Sequence, residues 1–274
     1  MQKDRLNVAI AQTASGPDIE RNIQRACGMV EQAIKSGADL VALPETMDYR
    51  GDLKDLSSVA NRLPGPALTP FLDLAAVHNV WILAGSIHEA NPDGGRPFNT
   101  SVLIGPQGTI VAAYRKLHLF DITIGDRSVT ESAKYTRGSE IVTADIEGWT
   151  AGLSICYDIR FPELYRAFAD AGATMIFAPS SFTAATGAAH WEVLLRARAV
   201  ENQCFVIAPG QAGTGAGGIE TYGNSMIVAP WGQVLARASR EEETLVSAVL
   251  DKQDIMAAAQ KLPVLHHRRG DIFR

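Results

Sequence analysis

The chain has 274 residues, of which 46% are hydrophobic and 20% are charged, an ordinary composition for a soluble globular protein. Its formal net charge is −5, and its one basic cluster is the HHRR run at 266–269. We therefore expect no nucleic-acid partner, which would need a basic surface. No apolar run approaches the roughly 18 residues of a membrane-spanning helix, so we expect no membrane partner either.

The cysteines argue against a disulfide framework and against structural zinc. Cys27, Cys156 and Cys204 are too few for a framework, and none belongs to a CxxC pair. Residues 1–12 lack the long apolar core of a signal peptide, so we expect a reducing, cytoplasmic location. Because neither a linker nor a shift in composition divides the chain, we also expect one domain over residues 1–274.

The first half of the chain alternates predicted strands with predicted helices. Residues 18–37 are the clearest helix, because their apolar residues recur at helical spacing and Gly37 suits a helix end. Cys27 lies on this apolar stripe, and we interpret it as a small core residue. The other elements of this half are strands at 6–12, 39–45 and 80–87 and a helix at 65–79.

The second half mixes hairpins with helices. Hairpins are predicted at 99–116 and 140–156, and a helix begins near Pro162, because proline suits a first helical turn. Further elements are strands at 174–180, 204–210, 222–230, 234–239 and 244–250, a helix at 188–202 and a last helix near the end. Together they predict an α/β fold in which two mixed sheets pack face to face with helices outside each sheet.

One glycine pattern resembles a dinucleotide-binding fingerprint but lacks its context. Gly213, Gly215 and Gly218 satisfy G-x-G-x-x-G, yet the segment that follows them is extended in pattern rather than helical. The fingerprint must open a helix, whose N-terminus binds the pyrophosphate. We therefore interpret residues 213–218 as a surface loop and expect no cofactor there.

Cys156 stands where a buried strand, 151–155, gives way to a helix at 161–172. Ligands of α/β sheets bind at the carboxyl ends of strands, and the backbone N–H groups of such a turn can hold an oxyanion. An ordinary thiol has a pKa near 8.5, so a nucleophilic Cys156 would need a base close by. The alternative is a structural cysteine.

Two other polar residues end predicted strands. Glu45, in VALPE, follows an apolar run at the end of the predicted strand 39–45, and Lys116 ends the second strand of the hairpin 99–116. A carboxylate, an ammonium and a thiol at three strand ends supply the parts of an acyl-transfer site. The alternatives are an exposed loop glutamate and a surface lysine, because spacing alone does not show that the three converge.

The motifs around these residues resemble the nitrilase superfamily of carbon–nitrogen hydrolases. They are LPETMDYRG around Glu45, YRKLHLFD around Lys116 and ICYDIRFPEL around Cys156, with further similarity at 186–206, 222–232 and 262–269. Within the superfamily the chain is most similar to the branch of deaminated glutathione amidase and ω-amidase.

The resemblance implies a four-layer α-β-β-α sandwich, assembled as a homodimer or higher homo-oligomer through the layer next to the nucleophile helix. It implies a catalytic Glu45–Lys116–Cys156 triad and a second glutamate, which matches Glu131. The segment before Glu131 departs from the family pattern, so Glu140 remains an alternative for that role. No metal or organic cofactor is implied.

The implied reaction is hydrolysis of an α-keto acid amide, such as deaminated glutathione, through a thioester on Cys156. Lys116 and the Tyr157 N–H would hold the oxyanion, and Arg160 and Thr186 would bind the substrate carboxylate. From the residues alone, Arg160 could instead pair with a neighbouring acid, Asp158 or Glu163, and Thr186 could cap a helix. The alternative functions are an ω-amidase acting on 2-oxoglutaramate, or an N-carbamoyl-amine or nitrile hydrolase with the same triad.

Overall fold

Two mixed β-sheets lie face to face in the computed structural model, which describes residues 3–52, 54, 56–124, 127–215 and 218–272. The strands of the first half of the chain are β1 (Arg5–Gln12), β2 (Leu40–Ala42), β3 (Trp81–Leu83), β4 (Ile87–Glu89), β5 (Phe98–Gly105), β6 (Thr109–Arg115), β7 (Asp121–Ile124) and β8 (Arg127–Thr130). Those of the second half are β9 (Thr143–Ile146), β10 (Trp149–Leu153), β11 (Met175–Phe177), β12 (Phe205–Ala208), β13 (Met226–Val228), β14 (Val234–Arg237) and β15 (Thr244–Asp251).

The helices are α1 (Ile19–Lys35), α2 (Leu56–Val59), α3 (Gly65–His78), α4 (Pro162–Asp170), α5 (Ala184–Asn202) and α6 (Lys252–Lys261). Two single-turn 3₁₀ helices cover Glu131–Ala133 and Cys156–Arg160. Within the described part of the chain, no helix is long and apolar enough to cross a membrane.

Each sheet combines parallel and antiparallel strands. The first has the order β15-β1-β2-β3-β5-β4, with β6 also paired to β5, and the second has the order β14-β13-β12-β11-β10-β9. Parallel pairing joins β1, β2 and β3 in the first sheet and β10, β11 and β12 in the second. The predicted pair of mixed sheets is therefore confirmed.

Successive side chains of a strand point to opposite faces of its sheet, so each sheet packs against the other sheet on one face and against helices on the other. In β1, Val8 and Ile10 pack between the sheets with residues of the second sheet, whereas Ala9 packs outward against α1 and α3. On the second sheet, buried side chains of α4 and α5 extend the inter-sheet core. The predicted α-β-β-α sandwich is confirmed, and Cys27 of α1 packs, half-buried, against the outer core of the first sheet.

Several predicted strands are shorter in the structure, because their ends turn into loops. The strand predicted at 80–87 divides into β3 and β4 at Gly85, whose φ of +57° and close approach to Pro44 exclude a side chain: a Cβ would lie 1.9 Å from the Pro44 oxygen. The strands predicted at 174–180 and 204–210 end at Phe177 and Ala208. Their last residues form the edge at which the site is built.

Three local differences remain between prediction and structure. The hairpin β7–β8 and the short helix α2 were not expected, and α5 begins at Ala184 rather than at 188. The earlier start brings Gly187 into α5, where a Cβ would lie 2.3 Å from the Tyr222 ring. No described residue of the segment 213–218 belongs to an α-helix, and Thr214 pairs with Glu220 in an isolated bridge, as expected for a loop.

Candidate active site

Cys156 begins the 3₁₀ turn that follows β10. Its backbone lies in the left-handed region, with φ +48°, and its N–H donates to the Pro179 oxygen at 2.9 Å. A non-glycine residue in this region costs roughly 1–3 kcal/mol, and such strain concentrates at functional sites. The next N–H, that of Tyr157, has no acceptor among the described residues, so it is free to bind an oxyanion.

A buried aspartate holds this turn in place. Asp158 is fully buried and accepts hydrogen bonds from the Tyr114 hydroxyl at 2.7 Å, from the Ile155 N–H at 2.8 Å, and from both the N–H and Nδ1 of His118 at 3.0 and 2.7 Å. Tyr114 belongs to β6, so the bond ties the first sheet to the Cys156 turn. No local sequence pattern indicated this role of Asp158.

Glu45 lies just beyond β2 and is 2% exposed, which excludes the alternative of an exposed loop glutamate. Its Oε1 accepts from Lys116 Nζ at 2.9 Å and from Asn99 Nδ2 at 2.9 Å, and its Oε2 accepts from the Ser181 N–H at 2.7 Å. Asn99 and Ser181 were also missed. No local pattern marks them, because they act across strands and, for Ser181, through the backbone.

Lys116 follows β6, is 1% exposed and lies between two carboxylates. Its Nζ donates to Glu45 at 2.9 Å and to the two oxygens of Glu131 at 2.9 and 3.1 Å. A second donor fixes Glu131, since its Oε2 also accepts from the Phe120 N–H at 2.8 Å. Glu140 is exposed, so Glu131 is the acid that the structure brings to Lys116.

The pKa values of Glu45 and Glu131 shift in opposite directions, although both carboxylates bind Lys116. Burial favours the neutral acid at Glu45, but the Lys116 charge and hydrogen bonds from Lys116, Cys156 and Ser181 outweigh it and lower the pKa of Glu45 below 4.5. At Glu131, burial prevails over Lys116, and the charge of Glu45 adds to it, so the pKa of Glu131 rises above 4.5. Strongly shifted pKa values in neighbouring carboxyl groups are typical of functional sites.

The pKa values of Lys116 and Cys156 are both raised. Burial works against a charged Lys116, but Glu131 and Glu45 raise its pKa well above 10.5. Burial and then the Glu45 charge raise the pKa of the Cys156 thiol well above 9. The resting site therefore holds an ionised Glu45, a charged Lys116 and a protonated Cys156 thiol.

A cavity of about 960 Å³, counted with its open mouth, has Glu45, Glu131 and Cys156 on its wall. Arg160 and Thr186 line the same cavity. The Arg160 guanidinium lies 5.0 Å from the Phe182 ring centroid and is 3.1 Å from His190 Nδ1, and no described carboxylate lies within salt-bridge distance. The alternative pairing with Asp158 or Glu163 does not form in the described structure.

Thr186 stands in the first turn of α5. Its Oγ1 is 2.8 Å from the Thr183 hydroxyl and 3.4 Å from the Thr183 carbonyl oxygen. Thr183, not Thr186, occupies the residue before α5, so the capping alternative does not describe Thr186. Every predicted site residue except Lys116 therefore lines one cavity, and Lys116 binds two of the residues that line it.

A buried network that no local sequence pattern indicated also reaches this cavity. The Asp48 carboxylate binds His88 Nδ1 at 2.9 and 3.1 Å, and His88 Nε2 lies 2.9 Å from the Tyr135 hydroxyl. The backbone N–H of Tyr135 donates to the backbone carbonyl oxygen of Glu131 at 2.8 Å. The network therefore supports the segment that carries Glu131.

One protein-family model and several proteins of known family match nearly the whole chain. The model of the carbon-nitrogen hydrolase family matches residues 7–260. The chain is 40% identical over 266 residues to deaminated glutathione amidase of Synechocystis sp. (strain PCC 6803 / GT-S), covering 95% of this chain and 97% of that protein. It is 37% identical over 253 residues to omega-amidase NIT2 of Bos taurus, covering 92% and 91%.

The fold agrees with this comparison. The crystal structure of the Caenorhabditis elegans NitFhit protein superposes with a TM-score of 0.91 at 38% identity, covering all of this chain and 67% of that one. In sequence, the chain is 39% identical over 270 residues to that nitrilase and fragile histidine triad fusion protein and spans 61% of its length. The chain therefore belongs to the carbon–nitrogen hydrolase family, within the nitrilase superfamily, as the resemblance of its motifs predicted.

Proposed function

We propose that this protein is a cysteine-dependent amidase that hydrolyses the amide of an α-keto acid, such as deaminated glutathione, through a thioester. One observation carries the proposal: Lys116 lies 2.9 Å from both Glu45 and Glu131, and these two glutamates share the wall of one cavity with Cys156. A base, a fixed cation and a nucleophile are the minimum set for acyl transfer.

The first half of the reaction acylates the enzyme. Because the resting thiol is protonated, Glu45 takes the Cys156 proton as the sulfur attacks the amide carbon. The oxyanion that forms is held by the Lys116 ammonium and the free N–H of Tyr157, and one preorganised donor contributes about 2.7–4 kcal/mol. Glu45 then gives the proton to the departing amine, the carbon–nitrogen bond breaks and a thioester remains.

The second half regenerates the enzyme. Glu45 takes a proton from water, the hydroxide attacks the thioester, and the same two donors hold the second oxyanion. The carbon–sulfur bond breaks, the acid leaves and Cys156 recovers its proton from Glu45. Glu131 keeps Lys116 charged and in position in both halves, which fits its two hydrogen bonds to Nζ.

Substrate choice rests on Arg160 and Thr186. A guanidinium with no carboxylate partner in the described structure is suited to bind a substrate carboxylate in bidentate fashion. Two of the relatives compared, deaminated glutathione amidase and omega-amidase, support an amide substrate. An ω-amidase acting on 2-oxoglutaramate is the second candidate, favoured by the 37% identity to that enzyme.

We also propose a homo-oligomer and a cytoplasmic location. Val193 and Val200 on the outer face of α5 are 61% and 46% exposed and line a groove with Trp231, which is 48% exposed. An apolar groove on the layer next to the nucleophile turn is suited to pair two copies of the chain. A reducing compartment would keep the Cys156 thiol free.

Steady-state kinetics with three substrate classes test the proposed function. The wild-type protein should turn over α-keto acid amides, including deaminated glutathione and 2-oxoglutaramate, with higher kcat/KM than N-carbamoyl amines or nitriles. C156A should lose this activity by at least three orders of magnitude while keeping its fold by circular dichroism. The matched control C27A, which changes the cysteine of α1, should remain active.

Either of two results would reject the proposal. Retained turnover in C156A would show that Cys156 is not the nucleophile. A higher kcat/KM for N-carbamoyl amines or nitriles would show that α-keto acid amides are not the preferred substrates.

A further inference from the structure

We infer that Asn99 is a positioning residue for the base: together with Lys116 it occupies Oε1 of Glu45, so that Oε2 is the oxygen that exchanges protons with Cys156. The inference rests on the proposed amidase function and adds a residue to the machinery of that site. Asn99 belongs to β5 and is 2% exposed. It acts through Glu45 and not by contact with the substrate.

Asn99 lies on the face of β5 that is turned toward the second sheet. Side chains two residues apart in a strand share a face, and Leu103 packs in the core between the sheets, whereas Val102 packs in the outer core. The side chain of Asn99 donates from Nδ2 to Glu45 Oε1 at 2.9 Å, and its backbone oxygen accepts the Lys116 N–H at 2.9 Å. One residue therefore holds both the base and the cation.

The side-chain amide of Asn99 makes one hydrogen bond among the described residues, and that bond goes to Glu45. Its Oδ1 is buried and has no partner there. Turning the amide over would bring Oδ1 against the Glu45 Oε1, two acceptors without a proton between them, so the carboxylate fixes the orientation of the amide. A buried acceptor without a partner is unfavourable and calls for an explanation. The bond from Nδ2 to the base provides that explanation.

The two carboxylate oxygens of Glu45 are occupied unequally. Oε1 accepts from Lys116 Nζ and from Asn99 Nδ2, both at 2.9 Å, and these two donors fill its lone pairs. Oε2 accepts from the Ser181 N–H at 2.7 Å, which leaves one lone pair without a donor among the described residues. A proton can therefore add to Oε2 without breaking a hydrogen bond, whereas a proton on Oε1 would displace Lys116 or Asn99.

Backbone contacts connect Oε2 to the nucleophile. Ser181, which donates to Oε2, stands two residues after Pro179, whose oxygen accepts the Cys156 N–H at 2.9 Å. The loop after β11 therefore contacts both Oε2 and the Cys156 turn, and Ser181 lines the cavity with Glu45 and Cys156. The filled oxygen is bonded to residues of the first sheet, and the oxygen with an open lone pair is bonded to the segment that also holds Cys156.

Asn99 is an uncharged member of a charged site. The titratable side chains that interact with the Glu45 charge are Lys116, Glu131, Cys156, Tyr135 and Arg50. Each of these can gain or lose a proton, whereas a substitution at Asn99 changes the hydrogen bonding of Glu45 and no charge. A hydrogen bond to an ionised carboxylate favours its charged form, so loss of the Nδ2 donor should raise the pKa of Glu45.

Two variants of Asn99 and one matched control test the inference. N99L keeps roughly the volume of the side chain and removes both polar atoms, and N99A removes the donor without requiring that leucine fit. The control is S101A, because Ser101 lies on the same face of β5, is fully buried and has a hydroxyl without a partner among the described residues. Two rates are measured over the pH range in which each protein stays folded by circular dichroism. They are kcat/KM for an α-keto acid amide and the rate at which iodoacetamide alkylates Cys156, located by peptide mapping.

Both Asn99 variants should lower the plateau of kcat/KM by about tenfold to a hundredfold, because the base is held less firmly. The acid limb of both rates should move up by about one pH unit, as expected for one hydrogen bond to a charged group. S101A should keep the wild-type profile.

An acid limb that stays at the wild-type pH in both variants would mean that Asn99 only supports packing, and the inference would be wrong. Failure of the proposed function is distinguishable from this result. Alkylation of Cys156 needs no amide substrate, so it reports the shift of the acid limb even if wild type turns over no α-keto acid amide.

Discussion

At the scale of single residues, the central feature is that one ammonium stabilises two carboxylates unequally. Glu45 receives hydrogen bonds from Lys116, Asn99 and the Ser181 N–H, and its pKa falls, whereas the pKa of Glu131 rises. The pair therefore takes up its protons in two separate steps as the solution is acidified. Glu45 remains ionised, and able to act as a base, through the first of these steps.

The acid side of the pH profile should report this arrangement. Because the charge on Glu45 is required for attack, kcat/KM should fall as the pH falls, with a first decrease above pH 4.5 from Glu131 and a second below it from Glu45. In E131Q the first step should disappear and the remaining acid limb should move below pH 4.5. Lys116, whose pKa lies well above 10.5, should cause no loss at moderately alkaline pH.

The measurement is kcat/KM for an α-keto acid amide over the stable pH range, with folding checked at each pH. An acid limb that keeps its position and shape in E131Q would contradict the assignment of the two pKa shifts.

At the scale of the elements, α5 has an unusual distribution of apolar residues. Its inner residues Trp191, Leu195 and Ala199 are buried in the core, but Val193 and Val200 remain largely exposed on the opposite face. A helix that is apolar on two sides is typical of one that packs against a partner as well as against its own core. This is the structural support for the proposed homo-oligomer.

The variant V193K should therefore weaken self-association by at least tenfold, because it would bury an unpaired charge in the contact. The masses of wild type and variant are compared by gel filtration with light scattering over a range of concentrations. V77K is the matched control, since Val77 is 76% exposed on α3 in the other helical layer. A V193K protein with the same mass as wild type at every concentration would exclude this face as the interface.

At the scale of the whole molecule, the site exists because the ends of strands from two sheets meet. Glu45 and Lys116 follow β2 and β6 of the first sheet, and Cys156 follows β10 of the second. The bond from Tyr114 of β6 to Asp158 holds the two sheet edges together beside the nucleophile. A change in the packing of the sheets would therefore separate the base from the thiol.

Much of this arrangement could be predicted from the amino-acid sequence, and the reason is physical. Polar residues at the ends of apolar runs, such as Glu45, Lys116 and Cys156, leave a local signal because burying them is costly without partners. Helix periodicity similarly predicted α1 within two residues at each end.

Other features left no local signal. Asp158, Asn99 and Arg50 act through contacts with residues far away in the chain, which only the assembled sheets create. The β7–β8 hairpin was missed for a related reason, since it forms a separate two-stranded sheet rather than part of the predicted pair.

The most direct test of the account is to detect the acyl-enzyme. The protein is mixed with an α-keto acid amide, quenched with acid within the first turnovers, and analysed by intact mass and peptide mapping. We predict a mass increase equal to the acyl group on the peptide that contains Cys156, removable by hydroxylamine as a hydroxamate and absent from C156A. Turnover with no adduct at Cys156, or with the adduct at another residue, would contradict the claim that this sulfur carries the acyl group.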